Sequence, residues 1–388
     1  MMKMLNAFTT EIDEPEAAVD EILAQLDLKH SLLKNSVAII SCYYEFLETG
    51  VVEELCERLP FDAVGCTVIG SAVNAAAGME QLSIAVLTSD AHEFSTAVSD
   101  EISEFRVDEP IADVYRAARD RLSGEPSGIF AFGPIMTDVS GDYILKTLND
   151  VSGGDIPIFG TLSNDTALTY ENARTFRNGE IHPRKLALIL ISGDFNPEFF
   201  VTAVSDRNIQ QQSAIVTESE GYRLKRVNDM PLLDYLMSIG VDTHGLAAVT
   251  TLPFLVDYKD GTKPVACSMY AITEEGAFCG VAIPEGASLT FAEVDYNSVL
   301  DTAENAARNA LTYAEEHGAS FMIAVTCFSR CLVIMPAAED EMEKTREIIG
   351  NDIPLLFIYS GGEICPVYNA QGDRFNRFHN LTYTVAVF

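Results

Sequence analysis

The sequence predicts an α/β protein of two domains, with mixed sheets flanked by helices and internally repeated βα units. Apolar strands alternate with helical segments over the first 204 or so residues, a pattern typical of sheets covered by helices. The chain of 388 residues is long enough for two cores. We place the domain boundary after residue 225, which gives an N-terminal domain of residues 1–225 and a C-terminal domain of residues 226–388.

One unit occurs three times, and each copy runs apolar strand, short helix, second apolar strand, turn of small residues and late third strand. Open α/β sheets bind ligands beyond the carboxyl ends of their strands, so the three turns are candidate walls of one or two pockets. The first strands span residues 36–42, 127–133 and 321–327; the helices span residues 48–59, 140–151 and 339–349; the second strands with their turns span residues 61–71, 155–165 and 352–363.

The remaining elements follow from local patterns. Apolar residues at helical spacing predict an opening helix over Pro15–Leu26 and a long helix over residues 296–316 that ends at Gly318. A polar composition indicates a boundary region. The apolar segments after residue 246, which are separated by turn residues, predict strands. The boundary region spans residues 206–220, an antiparallel meander spans residues 247–257, 265–272 and 277–283, and a strand pair spans residues 283–294.

Charge and composition exclude several classes of partner. Lys and Arg total 25 against 58 Asp and Glu, a net charge of −33 that repels nucleic acid and anionic membranes. The longest apolar runs are too short for membrane insertion, and the amino terminus lacks the apolar segment of a signal peptide. The eight cysteines are spread along the chain without a disulfide pattern. We therefore expect a cytoplasmic protein with reduced thiols.

Arg330 and Glu363 form the sharpest candidate pair, since each follows a strand of the third unit. An arginine fork suits a carboxylate and a glutamate suits an ammonium group, so together they are predicted to bind both ends of an amino acid. An internal salt bridge between the two turns is the alternative. The acidic run over residues 339–347 is interpreted as a solvated helix face.

Small residues in the three turns are the other candidate ligand contacts. Their backbone N–H groups and short side chains suit polar ligand ends, whereas tight strand-to-helix geometry is the structural alternative. None of the turns has the glycine spacing of a dinucleotide or nucleotide phosphate loop. The candidates are Cys66, Thr67, Ser163, Asn164, Gly361, Gly362 and Cys327.

Thiol, metal and haem chemistry find less support. Cys66 and Cys327 are possible nucleophiles, but packing roles are the simpler interpretation because no histidine partner is visible. Cys327 and Cys331 are separated by Arg330 and a strand-like run over residues 331–335, so no metal site is predicted. His244 and His379 are the haem-ligand candidates, each with a structural histidine as the alternative. We expect no cofactor.

Several segments resemble the FIST proteins, two-part intracellular sensory modules with an N-terminal and a C-terminal FIST domain. The resemblance extends from about Asn35 to Phe388, and the run from Cys327 to Arg330 and the segment around Glu363 look like the family's C-R and G-E segments. In the first turn Ser71 follows Gly70, where the family often carries glutamate. The segments are GCTVIGS, FGTLSND, IPEGASLTFAEVD, CFSR, YSGGEICP and HNLT.

The resemblance implies a sensor of small ligands, with amino acids or related metabolites as the proposed class. Such a sensor, without attached output segments, passes its signal to a downstream signalling protein. Some relatives bind haem and respond to nitric oxide. We therefore expect a cytoplasmic small-ligand-binding signal-transduction protein that is not an enzyme. A haem-based nitric-oxide sensor and a thiol-dependent enzyme remain the alternatives.

Overall fold

A computed structural model of the chain describes residues 2–166, 169–241 and 253–388, without the side chain of Tyr270. The described part contains ten α-helices and one short 3-10 helix at Asp206–Asn208. The α-helices are α1 Pro15–Leu26, α2 Leu28–Ser31, α3 Glu45–Glu48, α4 Val51–Arg58, α5 Asp108–Arg119, α6 Gly141–Ser152, α7 Leu232–Ser238, α8 Tyr296–His317, α9 Phe328–Ile334 and α10 Asp340–Ile349.

Thirteen strands come before the predicted boundary region and five belong to the third unit. The first thirteen are β1 Met2–Thr9, β2 Asn35–Cys42, β3 Ala63–Thr67, β4 Ser71–Val73, β5 Ala76–Gly78, β6 Leu82–Ser89, β7 Glu93–Val98, β8 Pro126–Gly133, β9 Ile158–Leu162, β10 Thr175–Arg177, β11 Glu180–His182, β12 Ala187–Ser192 and β13 Glu198–Thr202.

The later strands divide into two groups along the chain. The first group is β14 Ile209–Glu220, β15 Arg223–Val227, β16 Met230–Pro231, β17 Phe254–Asp257, β18 Val265–Cys267, β19 Met269–Thr273, β20 Gly276–Cys279 and β21 Ser288–Ala292. The second group is β22 Met322–Cys327, β23 Leu355–Ser360, β24 Glu363–Tyr368, β25 Arg374–His379 and β26 Tyr383–Val387.

Three six-stranded sheets share one strand order. The orders are β1-β6-β2-β3-β10-β11, β7-β12-β8-β9-β24-β25 and β13-β26-β22-β23-β4-β5. In each sheet the first and second strands of a unit are parallel, and the third strand is antiparallel to the first. The mixed α/β class predicted from the sequence is therefore confirmed. Whether the three units superpose as an internal repeat stays a prediction.

Each sheet is completed by a hairpin from another unit. The hairpin β10–β11 pairs with β3, β24–β25 pairs with β9, and β4–β5 pairs with β23. Two of the sheets therefore combine strands from both predicted domains, and the position of the boundary between the domains stays a prediction.

The three sheets pack on one another through a shared apolar core, and helices cover their outer faces. Ile39, Phe130, Phe159, Ile323 and Ile358 represent all three sheets within that core. The outer cores add apolar side chains of α1 and α4, of α5 and α6, and of α8 and α10. Sheets covered in this way need strands that are apolar on both faces, which explains their continuous apolar runs.

Strands β14–β21 form a fourth, antiparallel sheet. The run 265–272 is split at Ser268 into β18 and β19, which pair antiparallel with β17 and β20. Because β18 and β19 lie at the two ends of the strand order, this kinked run connects the two edges of the sheet through the chain at Ser268. The predicted meander is confirmed where it is described, and residues 247–252 lie outside the described residues.

Two sequence expectations in the second half are wrong. The predicted strand pair at residues 283–294 is one strand, β21. The strand-like run 331–335 belongs mostly to α9, which buries Arg330, Cys331 and Ile334; short apolar runs cannot be assigned by periodicity alone. The helices α1 and α8 are confirmed, and α8 ends at Gly318 with a φ of 77°.

None of the helices in the described ranges combines the length and apolar content that a membrane crossing needs.

Candidate functional site

The turns that follow β3, β9 and β23 meet in one buried group, which we call the turn cluster (residues 67–70, 162–165 and 360–363). Asn164 N donates to Thr67 O at 2.8 Å, and Gly361 N donates to Leu162 O at 3.1 Å. Tyr359 N, just before the third turn, donates to Gly70 O at 2.9 Å. The three turns singled out from the sequence are therefore joined by backbone hydrogen bonds.

Thr67 ties the first turn to the segment that follows the second turn. Its N–H donates to Arg174 O at 2.9 Å, and its Oγ1 accepts from Arg174 N at 2.9 Å. Cys66 precedes it on β3 and is fully buried in the shared core. Burial raises the pKa of the Cys66 thiol well above its usual value.

The second turn holds one buried donor for which the described part of the chain offers no partner. Ser163 Oγ accepts from Ile135 N at 3.2 Å, and Asn164 Oδ1 accepts from Asp165 N at 2.9 Å. The Asn164 side chain is fully buried, yet its Nδ2 finds no hydrogen-bond partner among the described residues. An unpartnered buried amide is costly and is uncommon in folded proteins.

The third turn needs glycine for steric reasons. A Cβ on Gly361 would lie 2.5 Å from the carbonyl oxygen of Ser163, and a Cβ on Gly362 would lie 2.4 Å from the Phe378 ring. Both positions are thus fixed by close approach to neighbouring elements. This is the tight-geometry interpretation that the sequence left open for these glycines.

Glu363 and Cys327 lie side by side in the interior. Glu363 Oε2 accepts from Thr382 Oγ1 at 2.7 Å and from Thr382 N at 3.3 Å. Burial raises the pKa of the Glu363 carboxyl to about 8. Burial and the neighbouring Glu363 raise the pKa of the Cys327 thiol to about 12. Burial therefore favours the neutral form of both groups.

Arg330 is fully buried, and its ion-pair partner is Glu341 of α10. Nε and Nη2 donate to Glu341 Oε1 at 2.9 and 2.6 Å. Its other donors bind Ala203 O, Leu381 O, Val299 O and Thr302 Oγ1 at 2.8 to 3.4 Å. The guanidinium makes no salt bridge to Glu363 in the described part, and it has no donor left for a ligand. A carboxylate clamp by Arg330 and Glu363 stays a prediction that requires Arg330 to leave these partners.

Glu341 is the residue that sequence reasoning missed. It lies in the acidic run 339–347 that was interpreted as a solvated helix face, yet its side chain is completely buried. The interpretation is therefore wrong for this residue. The signal was its place on the apolar side of α10, beside Met342 and Thr345, which are also buried.

A cleft of about 220 Å³ opens beside the turn cluster, and we call it the first cleft. Ile135 and Arg174 connect it to the cluster through their bonds to Ser163 and Thr67. Tyr170 lines the cleft, and its pKa is raised by burial and by the neighbouring Cys327 and Asp165. The cleft is lined by Ile135, Met136, Thr137, Thr169, Tyr170, Glu171, Ala173, Arg174, Pro183 and Arg184.

The first cleft contains one arginine, Arg174, that has no carboxylate partner among the described residues. Arg174 Nη1 donates to the carbonyls of Glu171 and Ala173 at 2.7 and 2.9 Å. Its Nε and Nη2 bind no other described residue, and it forms no ion pair within the described ranges. Arg184, by contrast, donates through Nη2 to both Asp138 oxygens at 3.0 and 2.7 Å. Arg174 and Glu171 were not singled out from the sequence, where they follow the FGTLSND turn.

The described histidines and acids give little support to haem or metal. His379 is buried and donates from Nε2 to Cys365 O at 2.9 Å. Burial lowers its pKa to about 4, and it does not line the first cleft. His244 lies outside the described residues, so haem ligation stays a prediction. No group of three metal-ligating side chains occurs among the residues that were described.

Family models match most of the chain. The FIST N domain matches residues 36–230, and the FIST C domain matches residues 232–366. No curated protein matches the chain.

Proposed function

The chain belongs to the FIST family, whose domains are sensory domains of signalling proteins, and on this premise we propose that it senses an amino acid or a related small metabolite in the first cleft. The observation that carries the proposal is the arginine at position 174. It lines this cleft with two nitrogens unused in the described part. A cation without an ion-pair partner in the described ranges is notable in a chain of net charge −33.

The charges of the cleft suit a zwitterion. The Arg174 fork matches a carboxylate, and the exposed Glu171 carboxylate suits an ammonium group on the same cleft wall. A volume of about 220 Å³ lies below the range of pockets for drug-sized ligands. These features support a small metabolite over a nucleotide or a large cofactor.

The turn cluster supplies a route from the cleft to the rest of the molecule. Arg174 bonds to Thr67, and Asn172 N donates to Asp165 Oδ2 at 2.6 Å. The cluster in turn joins strand ends from all three sheets. A ligand shifts a conformational equilibrium only by its differential affinity for two states, so we propose that ligand binding reorders residues 169–174 and that a downstream signalling protein reads the change.

In this proposal the residues predicted from the sequence support the first cleft from the interior and do not contact the ligand. Cys66, Cys327 and Arg330 hold the interior, Glu363 is bonded to Thr382, and the small turn residues fix the approach of the three sheets. The turn residues of this group are Thr67, Ser163, Asn164, Gly361 and Gly362. We propose that they position the cleft and carry its signal.

A thermal-shift screen with amino acids and small carboxylates tests the proposal, because a specific ligand stabilises the folded state by mass action. Calorimetric titration of the best compound then compares Arg174→Gln with Arg116→Gln. Arg116 is an exposed arginine of α5 that does not line the first cleft. We expect about ten- to a hundredfold weaker binding for Arg174→Gln alone, the loss of one charge-assisted pair. Equal affinity of the two variants would refute the site.

A further inference from the structure

A second cleft lies beside Arg174, and we propose that it binds a small apolar monocarboxylate that competes for this arginine with the ligand of the first cleft. The second cleft has a volume of about 200 Å³ and is lined by Tyr44, Leu47, Glu48, Asn172, Arg174 and Ile181. Binding here stands without the proposed function, whereas the competition rests on it.

Tyr44, Leu47 and Ile181 give the second cleft an apolar part that is partly open to solvent. Ile181 on strand β11 is 39% exposed, and Leu47 and Tyr44 are half-buried. The Tyr44 hydroxyl donates to Glu45 Oε1 at 3.2 Å, so the polar end of this lining tyrosine already has a partner. An aromatic or branched aliphatic group of a ligand suits these residues, because binding removes apolar surface of both the ligand and the cleft from water.

The charged residues of the second cleft select one carboxylate. The Nε and Nη2 groups of Arg174 have no partner in the described ranges, and a guanidinium binds a carboxylate through two parallel hydrogen bonds. Glu48 is an exposed residue of the same lining, and its negative charge disfavours a second anionic group on the ligand. The chemistry is therefore that of an apolar acid with a single charge.

Arg174 has enough unused donors to bind one carboxylate at a time. Its backbone N–H and carbonyl both bond to Thr67, and its Nη1 is bonded to two carbonyls of its own segment. Only Nε and Nη2 remain in the described part of the chain, and Arg174 lines both clefts. A carboxylate bound from one side therefore removes the donors that the other side needs.

Phenylacetate is the probe, with phenylacetamide as its neutral analogue. Methyl-labelled protein reports contact at Leu47 and Ile181 by NMR, and titration gives the affinity. We expect phenylacetate to shift these two methyl signals and to bind about tenfold more tightly than the amide, because one charge-assisted pair is gained. Arg174→Gln removes the difference between the two compounds, and Glu48→Gln tightens phenylacetate binding.

Ile181→Asp is expected to weaken both compounds, and Ile215→Asp is its control, since Ile215 is 43% exposed on another sheet. These readouts need no ligand of the first cleft, so they remain valid if amino acids do not bind. Where such a ligand is found, phenylacetate should raise its apparent dissociation constant. Unshifted Leu47 and Ile181 methyl signals, equal affinity for acid and amide, or simultaneous binding of both ligands would overturn the proposal.

Discussion

Arg330 and Glu341 form a completely buried ion pair in which two guanidinium nitrogens share one carboxylate oxygen, at 2.6 and 2.9 Å. The pair links α9 to α10, and the other donors of Arg330 reach α8 and the backbone at Ala203 and Leu381. One side chain thus satisfies carbonyl groups from several separate segments. Removing either partner leaves a buried charge without compensation, which is a large penalty in proteins.

Arg330→Ala is expected to destabilise the fold by about 3–5 kcal/mol, and Glu341→Gln by a similar amount. Urea unfolding followed by circular dichroism measures both. Arg308→Ala is the control, because the Arg308–Glu304 pair lies on the surface of α8 and such pairs contribute about 1 kcal/mol or less. The double replacement Arg330→Met with Glu341→Leu should recover only part of the loss, because the carbonyls of Ala203, Leu381 and Val299 then lose their donor. A stable Arg330→Ala variant that fails only in ligand binding would instead support the clamp predicted from the sequence.

The sequence predicted the positions of the strands and helices better than it predicted which of them pair with each other. Continuous apolar runs and the small residues after β3, β9 and β23 are local signals, so the three units and their turns could be located. The exchange of hairpins between sheets depends on strand pairs such as β4 with β23, hundreds of residues apart, and no local pattern encodes them. The mixed class was predictable, but the shared strand order was not.

Local sequence patterns also explain which parts of the candidate site could be predicted and which could not. Arg330 and Glu363 were found because they follow strand ends, but the partner of Arg330 is decided by which face of α10 packs inward. The charged run 339–347 contains one buried acid, Glu341, and its residue type does not distinguish it from the exposed acids beside it. Arg174 was missed because a single arginine in a loop carries no pattern, and its half-buried position follows only from the fold. Its importance appears only when Thr67 and the first cleft are placed beside it.

Gly361→Ala tests the steric role of the third turn. The added Cβ would lie 2.5 Å from the backbone carbonyl of Ser163, and backbone cannot give way cheaply. We expect a loss of about 1–3 kcal/mol, the usual cost of overpacking, measured by urea unfolding. Gly124→Ala is the matched control, since the nearest atom to its Cβ would be 3.7 Å away. A Gly361→Ala protein as stable as the control would contradict the close packing of the turn cluster.

The interior thiols are expected to be unreactive in the native protein. Burial raises the pKa of Cys327 and of Cys331 to about 12, and the thiolate is the reactive form. Iodoacetamide at pH 7, followed by mass spectrometry, should modify at most the half-buried Cys56, whereas all eight cysteines react in urea. Cys327→Ser should also leave ligand affinity within about twofold, because a packing thiol makes no direct contact. Rapid native modification of Cys327 would favour the thiol-dependent enzyme.

Glu363 is expected to make the protein less stable as the pH rises. Burial raises its folded pKa from 4.5 to about 8, so between these values the folded state holds a proton that the unfolded state has released. Stability therefore falls with rising pH across this window, by at most about 1.4 kcal/mol per pH unit, and the fall ends above the folded pKa.

Other carboxylates titrate near the lower end of the window, so the informative quantity is the difference between wild type and Glu363→Gln. Urea unfolding at pH 5, 6, 7 and 8 should show the wild type losing its advantage over the glutamine variant as the pH increases. Asp194→Asn, which changes an exposed carboxylate, serves as the control and should follow the wild-type profile. A difference between wild type and Glu363→Gln that stays constant over this range would mean that Glu363 does not hold its proton in the folded protein.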